Sequence, residues 1–190
     1  MDIQRINKEL EHKSPEDIIN WALSAARKPI ITTNFRPYEA AILHAVSERN
    51  ASIEVIWCDT GYNTPQTYTH AETLINKLSL NIHLYVPQQT VAHRTATLGT
   101  PTLDDPNHKR FTEQVKLEPF RRALKVHQPD VWFTNLRKGQ TAFRDRIDIV
   151  SKSHDGILKI SPFYHWSDEQ LDAYLKVHGL PNEHHYFDPT

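Results

Sequence analysis

The sequence predicts an α/β fold, a three-layer sandwich built on a mainly parallel, twisted sheet of roughly five or six strands. Short apolar runs rich in β-branched residues lie at 29–33, 53–58, 80–86 and 131–134, and segments with helical spacing alternate with them. Strands that alternate with helices pair in parallel through right-handed crossovers. The length and the lack of internal repeats predict one domain over residues 1–190.

The helices are predicted from their caps as well as from their periodicity. Ser14 and Thr64 each precede a proline, and Ser167 precedes two acidic residues, so these hydroxyl side chains are placed as N-caps. Two further helices are predicted after Tyr38 and from Pro119.

Two other segments interrupt this alternation. Residues 87–114 contain Gly99, Pro101, Pro106 and the pair Asp104-Asp105, which predicts a loop-rich insertion. Apolar runs at 147–150 and 157–160 flank Ser-His-Asp-Gly, which predicts a hairpin.

Composition excludes several classes of function. The 22 Lys and Arg residues balance 23 Asp and Glu residues, so no basic field for nucleic acid is expected. Neither a membrane helix nor a secretory signal is visible, and the single cysteine excludes an internal disulfide framework. We therefore expect a cytoplasmic protein. The 12 histidines show no ligand spacing typical of metal sites, so no metal is predicted.

The most informative stretch begins at Asp59, where a strand ends. Asp59, Thr60 and Gly61 form a short turn before the helix that begins at Pro65. In open parallel sheets, ligands bind at the carboxyl ends of the strands. Asp59 either caps the turn or lies beside a bound nucleotide, and Gly61 permits a positive φ or the approach of a ligand.

A second turn, formed by Thr32, Thr33, Asn34, Phe35 and Arg36, follows the first strand. Backbone N–H groups and hydroxyls between a strand and a helix can hold a phosphate. The alternative is a polar turn with a helix cap. The next residue is proline, which supplies no N–H, so the turn either uses the Arg36 side chain for phosphate or binds phosphate poorly.

Cations follow the fourth strand. Arg137, Lys138 and Arg144 lie there with Gln140 and Thr141 between them. Arginine offers a planar fork for an anion, so this segment is a candidate anion contact. The alternative is a solvated basic face.

Lys116 and Glu118 precede the helix at Pro119. They either belong to the same binding wall or form an ordinary surface ion pair.

Four segments, in order, resemble the phosphoadenosine phosphosulfate (PAPS) reductase family of the adenine-nucleotide alpha-hydrolase-like superfamily. The resemblance covers the chain from about residue 14 onward. The segments are Ile30-Ile31-Thr32-Thr33-Asn34-Phe35, Asp59-Thr60-Gly61-Tyr62-Asn63-Thr64-Pro65-Gln66-Thr67-Tyr68, Val115-Lys116-Leu117-Glu118-Pro119-Phe120-Arg121-Arg122-Ala123-Leu124 and Leu136-Arg137-Lys138-Gly139-Gln140-Thr141-Ala142-Phe143-Arg144.

The resemblance implies binding of an adenylyl sulfate nucleotide and, in sulfate assimilation, thiol-dependent reduction of PAPS to sulfite and adenosine 3′,5′-bisphosphate. Thioredoxin or glutaredoxin is the implied electron donor, and a homodimer is a further possible assembly. Phe111 and Thr112 occupy roughly the place of the Cys-Cys pair of the iron–sulfur branch, so neither a cluster nor another bound cofactor is expected.

The family's nucleophilic cysteine lies in a C-terminal tail of the type Glu-Cys-Gly-Leu-His, which is absent from these 190 residues. The cysteine that is present, Cys58, is predicted to be buried, with a raised pKa and a repelling carboxylate at Asp59. No catalytic residue is therefore assigned, and these residues alone are expected to be inactive. Two alternatives to a reductase stay open: a catalytically silent adenine-nucleotide-binding module, and an ATP-using, adenylating member of the superfamily.

Overall fold

The computed structural model describes residues 1–141 and 147–190. Within them, a sheet has the strand order β3-β2-β1-β4-β6-β5. All neighbouring strands pair in parallel except β5 and β6, which are antiparallel. The predicted α/β class with a mainly parallel sheet is confirmed. The strands are β1 (Pro29–Thr33), β2 (Glu54–Cys58), β3 (Asn81–Tyr85), β4 (Val131–Phe133), β5 (Val150–Lys152) and β6 (Leu158–Ile160).

Helices connect most of these strands. They are α1 (Ile3–Leu10), α2 (Pro15–Ala25), α3 (Glu39–Ser47), α4 (Pro65–Leu78), α5 (Val91–Thr97), α6 (His108–Thr112), α7 (Glu118–His127) and α8 (Asp168–Val177), with a π-helical turn at Glu113–Leu117. The three predicted hydroxyl caps are confirmed: each of Ser14, Thr64 and Ser167 accepts a hydrogen bond from the backbone three residues later.

The structure differs from the sequence prediction in two regions. Residues 87–114 contain more helix than the predicted loop-rich insertion, because Thr90 caps α5 and α6 runs into the π-helical turn. Residues 98–107, which hold the glycine and the acidic pair, form the predicted loop between these helices. Helix α1 was not predicted: its surface is largely charged, and only three apolar side chains face the core. The predicted hairpin is confirmed, with strands that are shorter and begin later than the apolar runs.

The sheet carries a different core on each face. Ile31 belongs to the main core, which also contains apolar side chains of α1–α4 and α8. Its neighbour Ile30 packs on the other face, with Ile56 and with Ala123 of α7. Successive side chains alternate between faces, so Thr32, one residue before the end of β1, and Cys58, at the end of β2, lie on the α7 face. This alternation positions the cavity described below.

In the described part of the chain, no helix is both long enough and apolar enough to cross a membrane.

Candidate functional site

A cavity of about 180 Å³ opens where β1 and β2 end, between the sheet and the first turns of α7. The π-helical turn contributes Lys116 and Leu117 to its wall. Such turns occur often at functional sites, because the extra residue redirects side chains. The complete lining is Thr32, Thr33, Asn34, Ile56, Cys58, Lys116, Leu117, Phe120 and Trp132.

The turn after β1 is filled by a carboxylate of the protein itself. Glu39, the first residue of α3, is 3% exposed. Its Oε2 accepts hydrogen bonds from the Thr33 hydroxyl (2.7 Å) and from the backbone N–H groups of Asn34 (2.8 Å) and Arg36 (3.2 Å). Its Oε1 accepts from Arg36 Nε at 3.0 Å. The carboxylate thus takes up the donors that the sequence assigned to a phosphate.

This arrangement decides what Arg36 does. The Glu39 carboxylate is the main cause of a raised pKa at Arg36, and Nε of the guanidinium is paired with it. Glu39 was missed in the sequence. The sequence feature that could have identified it is its position in the first helical turn, where the partial positive charge of the helix attracts an acidic side chain.

Three other residues of this turn have separate roles. Phe35 is fully buried and packs edge to face on Trp57, with ring centroids 4.8 Å apart, so it is a core residue rather than a ligand contact. Thr32 lines the cavity and accepts a hydrogen bond from Trp132 Nε1 at 2.9 Å. Asn34 also lines the cavity.

Asp59 organises the turn after β2. Its Oδ1 accepts hydrogen bonds from the Gly61 N–H (2.9 Å), Asn63 Nδ2 (3.0 Å) and the Tyr68 hydroxyl (2.9 Å). Burial, together with the hydrogen bond to Asp59, raises the pKa of Tyr68 to about 12. Gly61 has φ +83°, and a Cβ there would lie 2.6 Å from Val91 Cγ2. Asp59 thus makes the turn-capping contacts that the sequence offered as one of two alternatives.

Cys58 differs from its prediction. It is half-buried and lines both the cavity and a smaller adjoining one, which it shares with Thr60 and Lys116. The predicted direction of its pKa is confirmed, since burial raises the pKa of the thiol to about 12. The carboxylate that adds to this shift is Glu118, not Asp59 as predicted, and Arg122 opposes it.

Lys116 is held by the last residues of the chain. Its Nζ donates to Asp188 Oδ2 and Thr190 Oγ1, both at 2.7 Å. Burial disfavours the charged form of Asp188, but these contacts prevail and hold its pKa below the ordinary value. Residues 186–189 form one wall of the smaller cavity. An anion that reached Lys116 would therefore meet a carboxylate already bound there.

Lys116 and Glu118 do not pair with each other. Glu118 accepts from Arg122 Nε at 3.0 Å and lines a different cavity, of about 390 Å³. Arg94 also lines that cavity; it is 1% exposed and donates to the Tyr62 hydroxyl and the Gln89 carbonyl. Arg94 thereby ties α5 to the turn after β2. No sequence pattern singled out this arginine.

Arg137 is packed into the protein. It is 8% exposed, its Nη1 donates to Asp168 Oδ1 at 2.6 Å, and its guanidinium lies 5.1 Å from the Tyr38 ring centroid. The side chain therefore connects the turn after β4 to the first residue of α8.

The rest of this cationic segment is more open. Lys138, Gln140 and Thr141 are exposed, and Gln140 Oε1 accepts from the Arg137 backbone N–H. Arg144 lies outside the described residues.

Residues 28–188 match the family model described as the phosphoadenosine phosphosulfate reductase domain. Phosphoadenosine 5′-phosphosulfate reductase of Xylella fastidiosa (strain M12) is 36% identical over 184 residues, which cover 95% of this chain and 76% of the relative. The reductase of Aliivibrio salmonicida is 32% identical over 183 residues, with coverages of 94% and 71%.

The solved structures that resemble this chain include a PAPS reductase. The PAPS reductase of Candida auris, crystallised as a phosphate complex, superposes with a TM-score of 0.83 at 26% identity and covers 95% of this chain and 87% of that one. Candida glabrata FMN adenylyltransferase in complex with ATP superposes with a TM-score of 0.60 at 12% identity, covering 85% and 52%. The second likeness concerns the fold alone.

Proposed function

Because the chain belongs to the phosphoadenosine phosphosulfate reductase domain family, we propose that it binds PAPS in the cavity at the ends of β1 and β2. The proposal rests on which sequence segments form the walls of this cavity. Thr32, Asn34 and Lys116 come from segments that resemble the family's motifs, and they line one cavity at the carboxyl edge of a parallel sheet.

The walls of the cavity differ in chemistry in a way that suits this ligand. Phe120 and Trp132 offer aromatic surface for a flat base, with ring centroids 5.0 Å apart. Lys116 offers a positive charge to the phosphosulfate. The bound nucleotide would take the place of Asp188 at Lys116, while the turn after β1 keeps its Glu39 carboxylate.

The proposed reaction is that of the family. A cysteine thiolate attacks the sulfate sulfur, the bond from that sulfur to the bridging oxygen breaks, and adenosine 3′,5′-bisphosphate leaves with the electron pair. A thiolate of thioredoxin or glutaredoxin then attacks the modified cysteine at Sγ and releases sulfite. Cys58 is poorly suited to the first step, because a thiol with a pKa of about 12 is almost entirely protonated at neutral pH.

The raised pKa of Cys58 also favours a second candidate function, a nucleotide-binding module that does not reduce its ligand. Cys58 is the one cysteine of these 190 residues. We therefore expect these residues alone to release no sulfite from PAPS and reduced thioredoxin.

Binding is tested by calorimetry with PAPS, adenosine 3′,5′-bisphosphate, adenylyl sulfate and ATP. Lys116→Met should weaken PAPS binding about ten-fold or more, because a hydrogen bond to a charged group contributes roughly 1.5–3 kcal/mol. Lys77→Met, on the exposed surface of α4, is the matched control and should bind normally. The absence of heat with all four nucleotides at millimolar concentration would contradict the proposal.

Sulfite release separates the two candidates. The assay compares these residues with a version that carries an added cysteine tail of the family type. Turnover only with the tail supports a reductase site, whereas binding without turnover in both supports the silent module. Turnover that disappears in Cys58→Ser would show that Cys58 is the nucleophile.

A further inference from the structure

Three metal-ligand side chains meet at the opposite end of β2 from the nucleotide cavity. They are Glu54 at the start of β2, His83 within β3 and His127 at the end of α7. His127 Nδ1 lies 2.7 Å from Glu54 Oε2, and His83 Nε2 lies 3.8 Å from Glu54 Oε1. The three ligand atoms all lie within 4.8 Å of one another.

One of these atoms has no partner of its own. His83 Nε2 is buried, yet no hydrogen-bonding group among the described residues contacts it. A buried polar atom that lacks a partner requires an explanation, and an unmodelled ion is one of the recognised ones. The nearest charged oxygen is that of Glu54, which is too distant for a hydrogen bond but close enough to share a metal with His83.

The second nitrogen of His127 is held in the way that metal-binding histidines usually are. Tyr85 Oη lies 2.9 Å from His127 Nε2. Nδ1 itself lies 2.7 Å from Glu54 Oε2, and because a carboxylate only accepts, Nδ1 donates there in the metal-free protein. A metal ion would replace that proton, with Nε2 then donating to the tyrosine oxygen and the lone pair of Nδ1 bound to the metal. Such outer partners fix the tautomer and the orientation of ligating imidazoles.

From this geometry we propose that Glu54, His83 and His127 form a zinc site. Two imidazoles and one carboxylate are ligands that Zn²⁺ accepts in tetrahedral sites with an open fourth position. Zinc bonds of about 2.0–2.1 Å place neighbouring ligand atoms roughly 3.3 Å apart. The observed separations of 2.7 Å and 3.8 Å run to different oxygens of Glu54, and the three ligand atoms lie within 4.8 Å of one another, so the side chains must rotate to bring one oxygen and both nitrogens around a single ion.

The surroundings support a bound cation and leave room for the fourth ligand. His127 is the last residue of α7, where the carbonyl end of the helix attracts positive charge. The three ligands line a cavity of about 660 Å³, which gives water access to the metal. Glu54 and Cys58 are four residues apart on one strand, so the site lies about 13 Å from the nucleotide cavity.

The site would therefore fasten α7 to the edge strand β3 rather than take part in nucleotide chemistry. The proposal departs from the sequence prediction of no metal, which rested on the scattered positions of the histidines.

The test is titration of the metal-free full chain with Zn²⁺, followed by calorimetry, with Co²⁺ as a spectroscopic probe. We expect one Zn²⁺ per chain, tetrahedral Co²⁺ absorption bands, a higher unfolding temperature with Zn²⁺, and no comparable effect of Mg²⁺. His83→Ala and Glu54→Gln should weaken binding more than ten-fold. Tyr85→Phe removes the outer partner and should cost about 10–100-fold.

The matched control is His154→Ala, because His154 is exposed beside Asp155 in the β5–β6 hairpin. It should leave Zn²⁺ affinity unchanged. Circular dichroism of each metal-free variant separates loss of the site from loss of the fold. The proposal would be overturned by no Zn²⁺ binding, by equal binding of Mg²⁺, or by unchanged affinity in folded His83→Ala and Glu54→Gln.

Discussion

Replacing Glu39 by alanine is expected to destabilise the protein and to create an anion site. The carboxylate is 3% exposed and accepts four hydrogen bonds from the turn after β1 and from Arg36. Arg36 is partly exposed, so the cost comes mainly from the three turn donors, and a buried donor without an acceptor costs about 1–3 kcal/mol, which gives at least about 3 kcal/mol in all. For a chain of this length each kcal/mol lowers the unfolding temperature by roughly 2–4 °C, so a decrease of at least about 6 °C is expected.

The vacated position provides a second, independent readout. In Glu39→Ala the Thr33 hydroxyl, two backbone N–H groups and the Arg36 guanidinium all lack an acceptor. Phosphate, sulfate or formate should therefore raise the unfolding temperature of the variant more than that of the wild type, because these ions supply the missing charge and acceptors. Thermal unfolding at constant ionic strength measures both effects.

The control for this experiment is Glu72→Ala, on the exposed surface of α4. It removes one negative charge without removing a buried contact, and it should change the unfolding temperature little. A Glu39→Ala protein as stable as the wild type would refute the stability argument. Equal stabilisation of both proteins by phosphate would refute the argument that Glu39 replaces an anion.

Three other measurements test the remaining contacts. Asp188→Asn should raise PAPS affinity, measured by calorimetry, because the carboxylate that competes for Lys116 is removed; lower affinity would contradict this. Arg137→Ala should lower the free energy of unfolding in urea by about 2 kcal/mol, since a desolvated cation–π contact is lost, whereas Lys138→Ala should have little effect; equal effects would contradict the burial argument. Alkylation of Cys58 should be slow at neutral pH and rise about ten-fold per pH unit toward pH 12, because its pKa is raised; a plateau near pH 8 would show an ordinary thiol.

The fold could be predicted because local signals agree with each other. Strands such as Ile30–Thr33 are short, apolar and β-branched, and Ser14 and Thr64 cap helices whose apolar stripes face the sheet. Helix α1 lacks such agreement, because it has as many charged residues as core contacts, three of each, and tertiary packing decides its existence.

The sequence predicted which turns lie at this edge of the sheet, but not the hydrogen-bond partners within them. The turns that contain Asn34 and Asp59 each follow a predicted strand, and the carboxyl ends of parallel strands lie at one edge of the sheet. The sequence could not identify the acceptor of a given donor. Lys116 is paired with Asp188, 72 positions away, and Arg137 with Asp168, 31 positions away.

The two internal carboxylates at this edge differ in how easily a ligand can replace them. Glu39 is buried and accepts four hydrogen bonds within one turn, so its displacement leaves buried donors without an acceptor, at about 1–3 kcal/mol for each. Asp188 and Lys116 have side chains that are 27% and 33% exposed, and partly solvated ion pairs contribute about 0–1 kcal/mol. An anionic nucleotide therefore gains more by exchanging with Asp188 at Lys116 than by entering the turn after β1, which makes Lys116 rather than that turn the anchor for its charged end.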